Sequence, residues 1–411
     1  MKRTITSFQY HIYTTFQCSL SCSHCFVDED LRNQKSSMTV EQVKHLADVY
    51  SKHFAESDVE KAEITIIGGE PTMLSHSFYD EVMPYLRSKF EKTGKFFYIS
   101  IMTNLLHSSN LEKMWHHFDL ITTSYEPNRF TSLNNVANPE KKGNVWLRNL
   151  KEWVKKDRPI SISIATTKDV LDAGTGLFDE LYSIGIKRFQ LNPAIPEGEF
   201  IKNIINDDSY KVFNEKRRES MISPARRRPV INIINENSLF SNYKQESEYM
   251  IEATKWLADK IKKGHSVDIY PIQSSLVSII NNQVIDDIAC GVDKGLNTRP
   301  DGEVSGCSAE MGSKNMVSYG NMWTETLDEI DNSLTKKAYI QSTKQCKNSC
   351  ISCEFFINCK GGCSLRSRLW NERDPEQECH GLKSYLLYLK DNSLELSEVL
   401  LSKDNLFNEQ E

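Results

Sequence analysis

The 411 residues carry 50 basic and 56 acidic side chains, a net charge of −6, with a hydrophobic fraction of 39%; this is a globular chain too long for one ordinary core. The balance excludes the overall basic excess of a nucleic-acid binder, and no apolar run reaches the roughly 18 residues of a membrane span. The opening MKRTITSFQYHI lacks the apolar stretch of a signal peptide, so the expectation is a cytoplasmic protein whose eleven cysteines, where clustered, serve as metal or cluster ligands rather than disulfides.

From residue 9 to 193, β-rich runs alternate with amphipathic stretches of helical period. YHIYTTF leads into a cysteine cluster, and SSMTVEQVKHLADVYSKHF follows, with Thr39 and Gln42 as a capping box and Val43, Leu46, Tyr50 and Phe54 on one face. The strand-like runs EITIIGG, FFYISIMTN, DLITTSYE, ISISIATT and RFQLNP follow, separated by helices near 77–90, 110–117, 145–155 and 175–184. Six strand–helix units imply parallel strands and a barrel, open or closed, with its site at the C-terminal strand ends.

Residues 197–289 break this rhythm and are expected to bridge two domains. Within them, 201–230 is net positive by four, either a solvated face or a groove for an acidic peptide. A helix is expected at 247–263, with Met250, Leu257 and Ile261 on one face and Gly264 closing it. Eight cysteines lie at 290–380, where the alternation is not expected to return, and one or two helices are expected from 381 on.

Cys18-x3-Cys22-x2-Cys25 places three thiols on a short loop after a strand. Structural zinc sites use four protein ligands, so three thiols suit a 4Fe-4S cluster with one iron left open. Zinc with a distant fourth ligand, or plain buried cysteines, are the alternatives. The spacing, placed after the first strand of such a barrel, resembles the radical S-adenosylmethionine (SAM) superfamily. The resemblance implies a partial (β/α)6 TIM-like barrel over residues 1–196, in which the open iron chelates SAM and an electron cleaves it to a 5′-deoxyadenosyl radical. It extends to Gly68, Gly69, Glu70 and Pro71, a motif that in the family meets the methionyl ammonium, where glycines allow close backbone approach and a carboxylate suits a cation. Asn104, Ser124, Glu126 and Asn192, at later strand ends, are further implied SAM contacts. The family usually has an aromatic residue where this chain has His24.

Cys290, Cys307, Cys350, Cys353, Cys359, Cys363 and Cys379 resemble the seven-cysteine SPASM extension, which implies two auxiliary 4Fe-4S clusters within residues 290–380 and three clusters in all. By that resemblance Cys350, Cys353, Cys359 and Cys379 hold the distal cluster, while Cys363 returns to join Cys290 and Cys307 at the proximal one. Cys346 is either the proximal cluster's fourth ligand or unused, leaving an open iron there. A zinc ribbon would explain four of these cysteines but not the ordered set.

Relatives of this type work mostly on peptides or proteins. The implied activity is that of a peptide maturase, which abstracts hydrogen from a side-chain carbon of a ribosomal precursor peptide and closes a crosslink. Carbon–carbon closure onto an aromatic side chain is the leading outcome, with thioether formation and epimerisation as others. Glu310, three residues past Cys307, is the candidate base. The resemblance also implies a flavodoxin- or ferredoxin-type reductant. With the first strand beginning almost at once, no N-terminal peptide-recognition domain is expected, and a separate recognition protein is a candidate partner. Modification of a folded protein, as in sulfatase maturation, and a non-catalytic electron-transfer protein are the competing readings.

Overall fold

The computed structural model describes residues 7–127, 129–130, 139–205, 239–285, 288–343, 350, 352–369 and 378–401. The six expected strands form in order: β1 (Phe8–Thr15), β2 (Lys61–Gly68), β3 (Phe96–Thr103), β4 (Leu120–Ser124), β5 (Ile160–Ala165) and β6 (Arg188–Asn192). Three further strands join them: β7 (Asp268–Tyr270), β8 (Gly295–Thr298) and β9 (Val304–Ser305). The sheet order is β7-β6-β5-β4-β3-β2-β1-β8-β9, parallel throughout except that β9 runs antiparallel to β8.

The expectation that the strand–helix rhythm stops at 193 is therefore corrected. β7 is followed by the helix Ile272–Ile280, and β8 pairs in parallel with β1 from Gln9↔Gly295 to Ile12↔Thr298. Neither strand announces itself, because three or four residues are too few to display a period. One sheet thus runs from the barrel into the cysteine-rich region.

The strand registers sort the side chains onto two faces. Tyr10, Ile12, Ile64, Ile66, Ile99, Ile101, Ile121, Ile162 and Leu191 point one way and are buried with helix residues such as Val43, Leu46, Tyr50, Leu86 and Phe178. The other face is largely polar and self-satisfied. Thr65 pairs with Ser100 at 3.1 Å, Thr122 with Ser161 at 2.9 Å, and Asn192 donates to Ser163 at 2.9 Å. Helices cover the aliphatic face, leaving the polar face to line the barrel interior.

The helix Val40–Glu56 begins with the capping box expected at Thr39 and Gln42. The helix Tyr243–Lys262 starts four residues before the expected 247–263 segment and ends one residue short of it, with Lys263 as its C-cap, and Trp256 is a core residue within it. Two C-terminal helices, Lys383–Asp391 and Ser393–Leu400, form as expected. No described helix is long and apolar enough to cross a membrane.

The cysteine-rich end is tied to the barrel by a buried ion pair between Glu246 and Arg366. Glu246 also accepts from the Thr166 hydroxyl at 2.7 Å, and Tyr243 donates to the Arg366 carbonyl at 2.6 Å. Removing one charge strands the other in a dry site. Glu246→Ala is expected to lose about 3–5 kcal/mol of stability in chemical denaturation.

Candidate metal and cofactor site

β1 delivers the first cysteine loop through a bulge: its register with β2 slips between Tyr13 and Thr15, so that Thr15 faces Gly68. Past that point the two chains continue to pair, with Gly69 N–H donating to Thr15 O at 2.8 Å and Glu70 N–H to Gln17 O at 2.6 Å. The approach is so close that a Cβ on Gly69 would lie 2.2 Å from Phe16 O, and one on Gly68, at φ +147°, 2.0 Å from Thr15 O. The glycine pair is thus demanded by the cysteine loop's own backbone.

Three other segments hold that loop. Arg32 donates to Leu20 O and to Ser21 Oγ, both at 3.0 Å. Phe200 N–H donates to Cys25 O at 3.0 Å, and Asn203 to Ser23 O at 2.6 Å. Asp28 N–H donates to Gly312 O at 2.7 Å. A Cβ on Gly198 or Gly312 would sit 2.0 or 2.4 Å from Phe26 O, so the loop is pressed between a segment after β6 and the 3-10 turn Ser308–Gly312.

Within this clamp the three early thiols act on one another. Burial, aided by the nearby Glu70 charge and by Cys22 and Cys25, pushes the Cys18 thiol up to about 12. Burial pushes Cys22 up to about 11 against the pull of Arg129. Backbone N–H groups of Leu20 and Val27 lie 3.4 Å from the Cys18 and Cys25 sulfurs. Thiols this buried stay protonated unless a cation draws them into thiolates, and amides aimed at sulfur then stabilise the anions. That donor set fits a metal cluster.

The later thiols fall into two further groups, and none of the described cysteines is disulfide-bonded. Burial holds the Cys307 thiol far above its ordinary range, with Glu310, Cys363 and Cys290 adding to the shift. Cys290 Sγ also lies 3.8 Å from the hydroxyl of Ser364, the neighbour of Cys363. In the other group burial raises Cys359 to about 11, with Cys379, Cys350 and Cys353 nearby. A Cβ on Gly381 would touch both the Cys359 and the Cys379 sulfurs, at 3.4 and 3.9 Å. Cys346 lies outside the described residues.

The strand-end residues divide by role. Glu70 is fully buried, and its carboxylate accepts from the Thr72 N–H at 3.0 Å, the Thr72 hydroxyl at 2.5 Å, the Thr103 hydroxyl at 2.8 Å and the Asn104 N–H at 2.5 Å. It ties the end of β2 to the end of β3. Its carboxylate is thus occupied by the chain's own donors. Pro71, itself buried, opens a 3-10 turn, and its carbonyl accepts from the Tyr79 hydroxyl at 2.9 Å. Asn104 donates toward Ser19 Oγ at 3.3 Å and Cys18 Sγ at 3.9 Å, so its side chain faces the cysteine loop. Ser124 is half-buried at the end of β4, in register with Ser163. Asn192, one strand further, bonds that same Ser163.

Glu126 is buried between His24 Nε2 at 3.1 Å and Arg129 Nη1 at 2.9 Å, and accepts from Ala165 N–H at 3.1 Å. Burial alone would raise its pKa, but His24 and Arg129 together hold it at about 2. His24, in the position where an aromatic was expected, is thus part of a charge cluster beside Cys22. Arg129 and Ser163 escaped the sequence reading. Arg129 stands three residues past Glu126, helical spacing inside a loop, and Ser163 belongs to the alternation ISISIA, which marks a strand with one polar face.

Because the Glu126 pKa is depressed, its contribution is complete above the unfolded value of 4.5 and is lost as pH falls toward about 2. The shift corresponds to about 3 kcal/mol. Glu126→Gln is expected to flatten the acid-unfolding curve in that window and to destabilise the chain at neutral pH, both measured by denaturant titration at stepped pH. Gly69→Ala is expected to displace the cysteine loop and lower the iron content after anaerobic reconstitution by about four irons per chain, the content of one 4Fe-4S cluster, read by iron analysis.

A family model described as "4Fe-4S single cluster domain" matches residues 10–136, the span that holds Cys18, Cys22 and Cys25. No curated protein matches the chain. Among solved structures, "Native anSMEcpe with bound AdoMet" superposes with a TM-score of 0.71 at 15% identity, covering 96% of this chain and 99% of that one. The same protein with bound AdoMet and the Cp18Cys peptide gives 0.69 at 16% identity, covering 96% and 98%. SuiB of Streptococcus suis bound to the precursor peptide SuiA gives 0.50 at 16%, covering 90% and 76%. The chain has the radical SAM fold, with a cysteine-rich C-terminal end.

Proposed function

We propose that the chain is a radical SAM enzyme that modifies a ribosomal precursor peptide, abstracting hydrogen from a side-chain carbon and closing an intrapeptide crosslink, with carbon–carbon closure onto an aromatic side chain as the leading outcome. The observation that carries this reading is the convergence of Cys18, Cys22 and Cys25 in a buried clamp at the C-terminal ends of the strands, with backbone amides aimed at two of the sulfurs. The likeness to folds described with AdoMet and with peptides supports it. When bound, a cluster at these three cysteines together with SAM supplies a hydrogen-abstracting radical, and clusters at the later cysteines supply an electron sink.

The chain's own residues orient and protect. The backbone of Gly68 to Glu70 offers close approach for a methionyl ammonium, while Ser124, Asn192 and Asn104 present polar groups along the same rim. Cys290, Cys307 and Cys363 would hold the proximal auxiliary cluster, with Cys346 as its fourth ligand, and Cys350, Cys353, Cys359 and Cys379 the distal one. Glu310, buried one turn after Cys307, is the proposed base that takes a proton from the substrate as the crosslink forms. The peptide would come from a short reading frame beside this gene, presented by a separate recognition protein, and the electron from a flavodoxin- or ferredoxin-type protein.

The test is anaerobic reconstitution with iron and sulfide, then dithionite and SAM. 5′-Deoxyadenosine is expected, together with loss of two hydrogens from a peptide co-expressed with the enzyme. Full clusters without 5′-deoxyadenosine would sink the reading. Joint replacement of Cys18, Cys22 and Cys25 by Ala is expected to remove about 4 of about 12 irons and all turnover. Glu310→Gln is expected to keep 5′-deoxyadenosine formation and lower crosslinking by about 100-fold or more, measured by mass spectrometry.

A further inference from the structure

Two phenols that the proposed mechanism does not use lie near Cys307 and Cys290. Tyr319, whose N–H donates to Val304 O at 2.8 Å, lies beside β9, and Tyr339 lies on the helix Leu334–Thr343. Both are buried, at 2% and 0% exposure, and their ring centroids are 5.8 Å apart. Neither hydroxyl has a hydrogen-bond partner among the described residues. The Gly306 N–H approaches the Tyr319 oxygen but, being itself a donor, leaves the phenol's own proton without an acceptor.

Position explains where that proton can go. A Cβ on Gly306 would lie 3.0 Å from the Tyr319 hydroxyl and 2.1 Å from Val292 O. Gly306 precedes Cys307 and Val292 is two residues past Cys290, so the hydroxyl enters the gap between the two backbone segments that carry these thiols. Burial raises both phenols, with Glu310 the next-largest influence and Cys307 and Cys290 among the others. A buried donor without an acceptor is destabilising. Two side by side, near Glu310 and Cys307 and yet without a hydrogen bond among the described residues, call for a further acceptor.

We propose that Tyr319 and Tyr339 donate hydrogen bonds to sulfur atoms of the cluster held at Cys290, Cys307 and Cys363, and thereby make that cluster easier to reduce. Hydrogen bonds to cluster sulfur withdraw electron density and stabilise the added negative charge of the reduced state, which raises the potential. Glu310 acts in the opposite sense, because a carboxylate beside the cluster disfavours the added electron. The two phenols offset it, so that a base and an electron acceptor can share one site. This inference rests on the ligand reading proposed above.

The experiment is an EPR-monitored redox titration of the reconstituted full chain, comparing wild type with Tyr319→Phe, Tyr339→Phe and the double variant. Tyr249→Phe is the control, since its hydroxyl is also buried and unpartnered but lies beside Phe178, on the helix-covered side. One of three cluster signals is expected to move to a more negative potential in each phenol variant and further in the double variant. The other two signals, and all three in Tyr249→Phe, are expected to stay at the wild-type value. In the wild type, electron–nuclear double resonance is expected to find a strongly coupled proton on that cluster that exchanges in D2O. An unmoved potential with iron content intact overturns the proposal. If the variants lose the cluster, absence of the exchangeable proton in the wild type overturns it instead. A wild type that binds about 4 irons fewer than about 12 and lacks a third signal fails earlier, at the ligand reading itself.

Discussion

The contact on which the rest depends is the backbone-to-backbone meeting of Gly68 and Gly69 with Thr15, Phe16 and Gln17. Parallel pairing of β1 and β2 brings these segments together, and the bulge near Thr14 turns β1 into the cysteine loop where the glycines admit it. Any side chain at either glycine would sit well inside van der Waals contact distance of a carbonyl oxygen. Three thiols within one loop have little freedom left once its entry is fixed in this way.

Around that contact the chain spends its buried polar groups on rigidity. Glu70 accepts four hydrogen bonds and joins the ends of β2 and β3. Glu126 is caught between His24, from the cysteine loop itself, and Arg129, just beyond β4. Both carboxylates are charge-bearing residues at the mouth of the barrel, yet their oxygens are turned inward. A site that must hold a charged cofactor in a fixed pose gains from walls whose own donors and acceptors are already matched.

The cysteine-rich end belongs to the same rigid framework. β8 extends the barrel sheet beyond β1, and the 3-10 turn carrying Glu310 presses Gly312 against Phe26, one residue past Cys25. Tyr13, on the inner face of β1, donates to Ser308 O at 2.6 Å, beside Cys307. The early thiol group and the group around Cys307 are therefore held to a common scaffold, as electron movement between them would require. Buried Glu246 and Arg366 anchor the segment after Cys363 in the same manner.

Much of this was legible in the residues themselves. The period-two runs from YHIYTTF to RFQLNP and the helical stretches between them determined six parallel strands, because local side-chain alternation survives whatever the rest of the chain does. Cysteine spacing likewise determined a loop donor set of three. The short strands β7 and β8 stayed hidden, since their stability comes from neighbours already in the sheet. That Glu70 faces inward, that His24 pairs with Glu126, and that Tyr319 meets Tyr339 were decided only by tertiary structure. Each of these is a contact between residues far apart in sequence, and no spacing along the chain encodes the distance between such residues in space.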